Sequence, residues 1–199
     1  MASSLEKQKN LVERHIEALK KLKGMSVEAG WFESARYVAG AKGNGEPIPE
    51  NLIGMAIAKI ARIQEFGATI NHPGGTKYTK DANGRVKFVS SGPHDGVTKA
   101  HTITIPARPF MRLASVNFAQ KRNEVQHKIA SQLIRGKINP VQAMGQIGLY
   151  MEGCIVDAIK NGAWQPNSKA TERAKGFNKP LIDSAQMWQA VASKVHKGS

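Results

Sequence analysis

Residues 4 to 22 place Leu5, Val12, Ile16, Leu19 and Leu22 at spacings of three, four and seven. That period predicts a helix with one narrow apolar stripe, capped by Ser3 or Ser4 and stopped by Gly24, so that 1–24 forms an N-terminal helix. From Met25 to Phe32 the pattern switches to alternation, with Met25, Val27, Ala29 and Trp31 on one side, and predicts a half-buried strand that opens the core sheet. A Gly/Pro loop follows over 39–49. Residues 52–66 then return to the helical period, with Ile53, Ile57, Ile60 and Ala61 on one face and Gly67 as the C-terminal stop.

Breakers dominate 71–100. Within that stretch residues 77–90 predict two short strands around an Asn83-Gly84 turn, a hairpin arm inserted into the domain. The arm has no long apolar stripe, so it is expected to lie against a neighbour or to stay mobile. His101 to Ile105 alternates β-branched residues before Pro106 and Pro109 enforce an extended backbone. Phe110 begins a helix whose Phe110, Ala114, Phe118, Val125, Ile129 and Leu133 share a face, ending at Gly136. A second helix starts at Asn139, with Pro140 at its first turn, and runs to Asn161-Gly162; Val141, Met144, Gly148, Met151, Ile155 and Ala158 point inward. Gly145, Gly148 and Gly153 weaken that helix by up to about 1 kcal/mol each and are expected to permit close packing.

The 162–183 segment reads as a long loop, beyond the roughly 12–15 residues usual for structureless connections, and so as an interface element. A short helical turn over 180–188 and a final strand over 190–196 complete the chain. The expectation is a single α+β domain over 1–199. A small, mostly antiparallel sheet is packed by two long antiparallel helices and the N-terminal helix, with the arm inserted.

With 199 residues and 41% hydrophobic content the chain can build a sizeable core, which excludes disorder throughout. No apolar run approaches the length of a membrane span, and the polar N-terminus is unlike a signal peptide, so synthesis and use in the cytosol are expected. The formal net charge of +14 implies attraction to a polyanion or an acidic protein surface. The excess is spread out: residues 1–24 carry six basic and three acidic groups, 107–137 seven and one, 160–179 five and one. No dense basic arm of the kind found in nucleic-acid-binding tails is present.

Candidate chemistry is sparse. His72, His94 and His101 lie in or beside the arm with Asp81 and Asp95, but their spacing is not that of zinc ligands, and no metal or cofactor is expected. His72 is read as a turn residue. There is no G-x-S-x-G elbow, P-loop or dinucleotide fingerprint. Most acidic residues sit beside lysines on helix faces, so no paired acid and base stands out and a small hydrolase ranks last among the function classes. The lone Cys154, in an apolar-periodic stretch, is read as a packed side chain. Trp31 reads as core and Trp188 as core or subunit contact. Trp164, past a helix end in a polar loop, weighs towards an inter-subunit contact over an intradomain one, with base stacking a third reading.

Five strings occur in order along the chain: 58–68 (Ala-Lys-Ile-Ala-Arg-Ile-Gln-Glu-Phe-Gly-Ala), 71–76 (Asn-His-Pro-Gly-Gly-Thr), 105–112 (Ile-Pro-Ala-Arg-Pro-Phe-Met-Arg), 162–168 (Gly-Ala-Trp-Gln-Pro-Asn-Ser) and 179–184 (Lys-Pro-Leu-Ile-Asp-Ser). In order and approximate spacing they resemble the virion-morphogenesis and minor-tail proteins of tailed bacteriophages, across residues 25–196. Glu65, Phe66, Gly67, His72, Pro106, Arg108, Pro109 and Phe110 carry the resemblance in the first half; Trp164, Pro166, Asn167, Pro180, Leu181, Ile182 and Trp188 are the candidate subunit-interface residues in the second. The chain departs from the family pattern at Ala185, where relatives have Gly, which puts the turn there in doubt. The resemblance implies no enzyme but a structural virion protein. It would close into a hexameric ring at the head-tail junction, contact the head connector and tail-tube or tail-terminator proteins, and let DNA pass without being read. A tail-terminator ring is the runner-up, and a stand-alone basic nucleic-acid-binding protein is the rival from another class.

Overall fold

A computed structural model describes residues 4–82, 84 and 86–197. In chain order the elements are α1 (Ser4–Lys23), β1 (Ser26–Gly30), a 3-10 turn (Glu50–Leu52), α2 (Ile57–Phe66), β2 (Ala68–His72), β3 (Lys77–Lys80), β4 (Val86–Phe88), β5 (Gly96–Val97), β6 (His101–Ile105), α3 (Phe110–Ile134), α4 (Pro140–Asn161), α5 (Lys169–Lys175), α6 (Gln186–Gln189) and β7 (Ala192–His196). The class is α+β, as the sequence patterns require. The strands do not form one sheet, however. They divide into three antiparallel units: β1 with β7, β2 with β6, and β3 flanked by β4 and β5.

The centre is the α3–α4 hairpin. Five residues, 135–139, connect the two helices, and α4 starts on a capping box in which Asn139 accepts from the Gln142 N–H at 2.9 Å while Gln142 accepts from the Asn139 N–H at 2.9 Å. Phe110, Ala114, Ile129 and Leu133 of α3 and Ala143, Gly148, Cys154, Ile155, Ala158 and Ile159 of α4 are buried. Val141, expected inward, is 42% exposed, and Ala143 is the buried residue of that first turn. That ribbon, β1 with β7, lies directly on α4. A Cβ at Gly148 would meet Ser193 Oγ at 2.5 Å and Val27 Cγ2 at 3.0 Å, so a missing side chain sets the helix-to-sheet distance. At Gly145 and Gly153 the space is open, so the close approach expected of all three glycines belongs to Gly148 alone.

Three further differences have local causes. The helix expected from residue 52 begins at Ile57, because 53–54 form a turn and 55–57 then run beside 35–37: Tyr37 N–H donates to Met55 O and Ile57 N–H to Ala35 O, both at 2.9 Å, and Arg36 bridges Ala56. Ile53 is therefore outside the helix and 43% exposed. β2 was not anticipated. It pairs with β6 from Ala68 opposite Ile105 to His72 opposite His101, making a two-stranded stem for the arm. The arm itself carries the expected β3–β4 pair plus β5 on the other edge of β3. Asn83 of the expected turn, and Ser3 as an N-cap, lie outside the described residues.

α1 forms where its stripe predicts, yet Leu11, Val12, Ile16 and Leu19 are 46–55% exposed. Among the described residues no helix is long and apolar enough to cross a membrane.

Candidate functional site

Four of the five strings that carry the resemblance meet where the end of α2, the start of α3, the end of α4 and the C-terminal segment come together; the fifth, 71–76, lies in the stem of the arm. The local cause begins with Gly67, which ends α2 at φ 73° and ψ 174°, a backbone region closed to residues with a Cβ. A Cβ there would lie 2.7 Å from Ile105 O and 2.9 Å from Ala107 N. Gly67 thus turns the chain into β2 while letting the strand leaving the arm pass over it.

That passage places Arg108 and Phe110 against α2. The Arg108 N–H donates to Gln64 O at 2.8 Å, and the neighbouring carboxylate, Glu65, reaches the first turn of α3: Oε2 accepts from the Met111 N–H at 2.8 Å and Oε1 from the Arg112 N–H at 3.4 Å. Pro109 occupies the N-cap of α3 and brings no side-chain acceptor, so Glu65, 9% exposed, serves as a cap from another helix.

Arg108, 5% exposed, ties the 162–168 segment to α2. Its guanidinium donates to Gln64 Oε1 at 2.8 Å, to Gln165 O at 3.3 Å and to Asn167 Oδ1 at 3.5 Å. Burial holds its pKa below the usual arginine value. Phe110 is fully buried and meets the edge of Trp31 with ring centroids 5.8 Å apart; the Trp31 indole N–H donates to Met187 O at 2.6 Å.

The 162–183 segment is not a structureless loop. It contains α5, capped by Ser168 and stopped by Gly176 in the left-handed conformation. Trp164 folds back on the helix it follows: its indole N–H donates to Ala158 O at 3.0 Å, its ring covers Gly162, and it packs on the core. The end of α4 and the core thus half-bury this side chain within the chain. Leu181 packs on the same core at φ 63°, and Ala185 makes its turn at φ 64°, adopting the glycine-like conformation at the position where the family pattern has Gly. The turn forms despite the departure.

Glu65, Gly67, Arg108, Pro109, Phe110, Trp164, Asn167 and Leu181 are therefore gathered into one brace, while other candidates fall outside it. Phe66 points away, 69% exposed. His72 stacks on His101 at 5.0 Å in the arm stem. Pro166 is exposed; Pro106, Pro180 and Ile182 are half-buried. Trp188 packs on the core beneath Lys160, whose Nζ lies 4.5 Å from the ring centre.

Gln64 and Gln165 lie inside two of the quoted strings but are not among the candidate residues, and both bond Arg108 in the brace; Gln186, which no sequence pattern flags, lies next to it. Gln186 reads the backbone of Val38 in both directions, accepting from its N–H at 3.0 Å and donating to its O at 2.9 Å. Cys154 is buried, and burial is the chief cause raising its thiol pKa, so it is held as a neutral packing group. Among the described residues no group of three or more His, Cys, Asp or Glu converges. The chain matches no protein-family model, no curated protein and no solved structure.

Proposed function

We propose that this chain is a structural subunit of a tailed-phage virion, closing into a hexameric ring at the head-tail junction that completes the tail, docks it to the head connector and surrounds the DNA. The observation that carries this proposal is the convergence of four of the five resemblance-bearing strings. Residues as far apart as Glu65, Arg108, Trp164 and Leu181 form one brace around α3 and α4, so those four strings constitute one physical unit. That unit is a scaffold in which polar groups are spent on capping and cross-linking.

The surface supports assembly. Leu11, Val12, Ile16 and Leu19 on α1, and Val86, Phe88 and Val97 on the arm, are all at least 46% exposed, two separate apolar surfaces of the kind that mark interaction sites. A ring closes by a heterologous contact, in which one surface of each subunit meets a different surface on the next, and two unlike patches suit that symmetry. The charge of +14 suits a lumen traversed by DNA, acting through salt-sensitive contacts without base readout.

Removal of the gene from the phage that carries it tests the proposal by electron microscopy of lysates. Full heads beside free tails of normal length are expected. Overlong tails would assign the chain to the tail-terminator ring instead, and intact infectious particles would overturn a structural role at this junction.

A further inference from the structure

Beside the brace lies a cleft of about 800 Å³, within the range of small-molecule sites. Its lining carries a basic set, Arg108, Lys175 and Lys42, with Asp183 the only acidic residue among the described lining residues. The same lining also carries an apolar wall of Ile48, Leu52, Ile60 and Met187.

The basic set is undersupplied with negative charge. Arg108 is 5% exposed, yet its hydrogen bonds all go to neutral oxygens, of Gln64, Gln165 and Asn167. A guanidinium has five N–H donors, so one donor on each of Nη1 and Nη2 is left without a partner among the described residues. Lys175 Nζ donates to a carbonyl, Lys179 O at 2.8 Å, and lies 5.0 Å from the centre of the Phe177 ring, and Lys42 meets Glu46 at 3.5 Å, a carboxylate that is 61% exposed. Burial lowers the Lys175 pKa; Asp183 opposes that shift and Arg108 adds to it. Two wall residues also carry buried polar atoms with no partner, Asn167 Nδ2 as a donor and Asp183 Oδ1 as an acceptor. A buried cation bonded only to neutral oxygens is costly, so Arg108 favours an anionic ligand in this cleft.

We propose that this cleft is a binding site for a carboxylate carried on an apolar body. A planar carboxylate matches the guanidinium fork, which presents parallel donors. Asp183 disfavours a doubly charged phosphate, and the apolar wall accepts a hydrocarbon group. A ligand with an N–H near its carboxylate, as at the end of a peptide chain, also offers a donor to Asp183. The site stands independently of ring assembly.

Calorimetric titration of the full chain tests it with four probes: hexanoate, N-acetyl-leucine, 1-hexanol and inorganic phosphate. Both carboxylates are expected to bind with Kd of roughly 1 mM, as befits ligands of this size, and the alcohol and phosphate about tenfold more weakly or worse. R108M should abolish carboxylate binding. Because Arg108 also belongs to the brace, K175M, which lies outside it, carries the test if R108M does not fold; there the carboxylates should weaken about three- to tenfold while hexanol is unchanged. Tighter binding of N-acetyl-leucine than of hexanoate identifies a peptide chain end as the natural source, and the reverse order a free acid. Absence of carboxylate binding, equal binding of hexanol, equal binding of phosphate, or unchanged affinity in K175M overturns the site.

Discussion

Helix α3 borrows its N-terminal cap, and replacing Glu65 measures what that loan is worth. The first four N–H groups of a helix have no partner inside it, and Pro109 offers no side-chain oxygen. Glu65 supplies one short bond, 2.8 Å to the Met111 N–H, and one long one, 3.4 Å to Arg112. A charge-assisted bond of the first kind contributes about 1.5–3 kcal/mol, and the long one little. The negative charge at the helix N-terminus adds about 1 kcal/mol, and relief from burying a carboxylate returns part of the total when the side chain is removed. Glu65→Ala should therefore destabilise by about 2–3 kcal/mol. Glu65→Gln retains one acceptor and should cost about 1 kcal/mol. Glu65→Asp is the most discriminating, since it keeps the charge but withdraws the oxygens by one methylene, and it should cost nearly as much as Ala. Equilibrium urea unfolding reads these values as midpoint shifts at constant slope. An alanine variant within about 0.5 kcal/mol of the parent, or an aspartate variant indistinguishable from it, would refute the borrowed cap.

Other substitutions probe the same region. Gly67→Ala combines a forbidden backbone conformation with a clash against Ile105 O and should cost about 2–4 kcal/mol or prevent folding, read by circular dichroism and unfolding midpoint. Ala185→Gly should stabilise by about 0.5–1 kcal/mol, since the left-handed conformation at φ 64° penalises alanine more than glycine's extra chain entropy costs; a lower melting temperature would contradict this. Trp164→Phe keeps most of the packing but removes the donor to Ala158 O, and should cost about 1 kcal/mol by the same unfolding assay. Duplex DNA binding should be independent of sequence and fall steeply with salt; a sequence preference in competition assays would point to a different mode.

The α3–α4 hairpin was legible because its determinants are local: the 3.6-residue period, Asn139 and Pro140 at a helix start, Gly136 at a helix end. α5 had similar signals in Ser168 and Gly176, but its seven residues bury no side chain, so no apolar stripe marked it. β2 escaped notice because its strand is a solvated ribbon with Thr69, Ile70 and Asn71 exposed, leaving no alternation to read. The start of α2 was misplaced because the turn at 53–54 and the pairing of 55–57 with 35–37 override its helical pattern. The brace was visible only as separate strings. Glu65 and Met111 are 46 residues apart, Arg108 and Asn167 are 59, and nothing in either string names its partner.

The most direct test of the proposed virion role is electron cryo-microscopy of particles produced from the genome that carries the gene for this chain. The account predicts a closed six-fold ring of this fold between head connector and tail tube, with α1 or the arm covered by the adjacent subunit. Mature particles lacking the chain at that junction would contradict it.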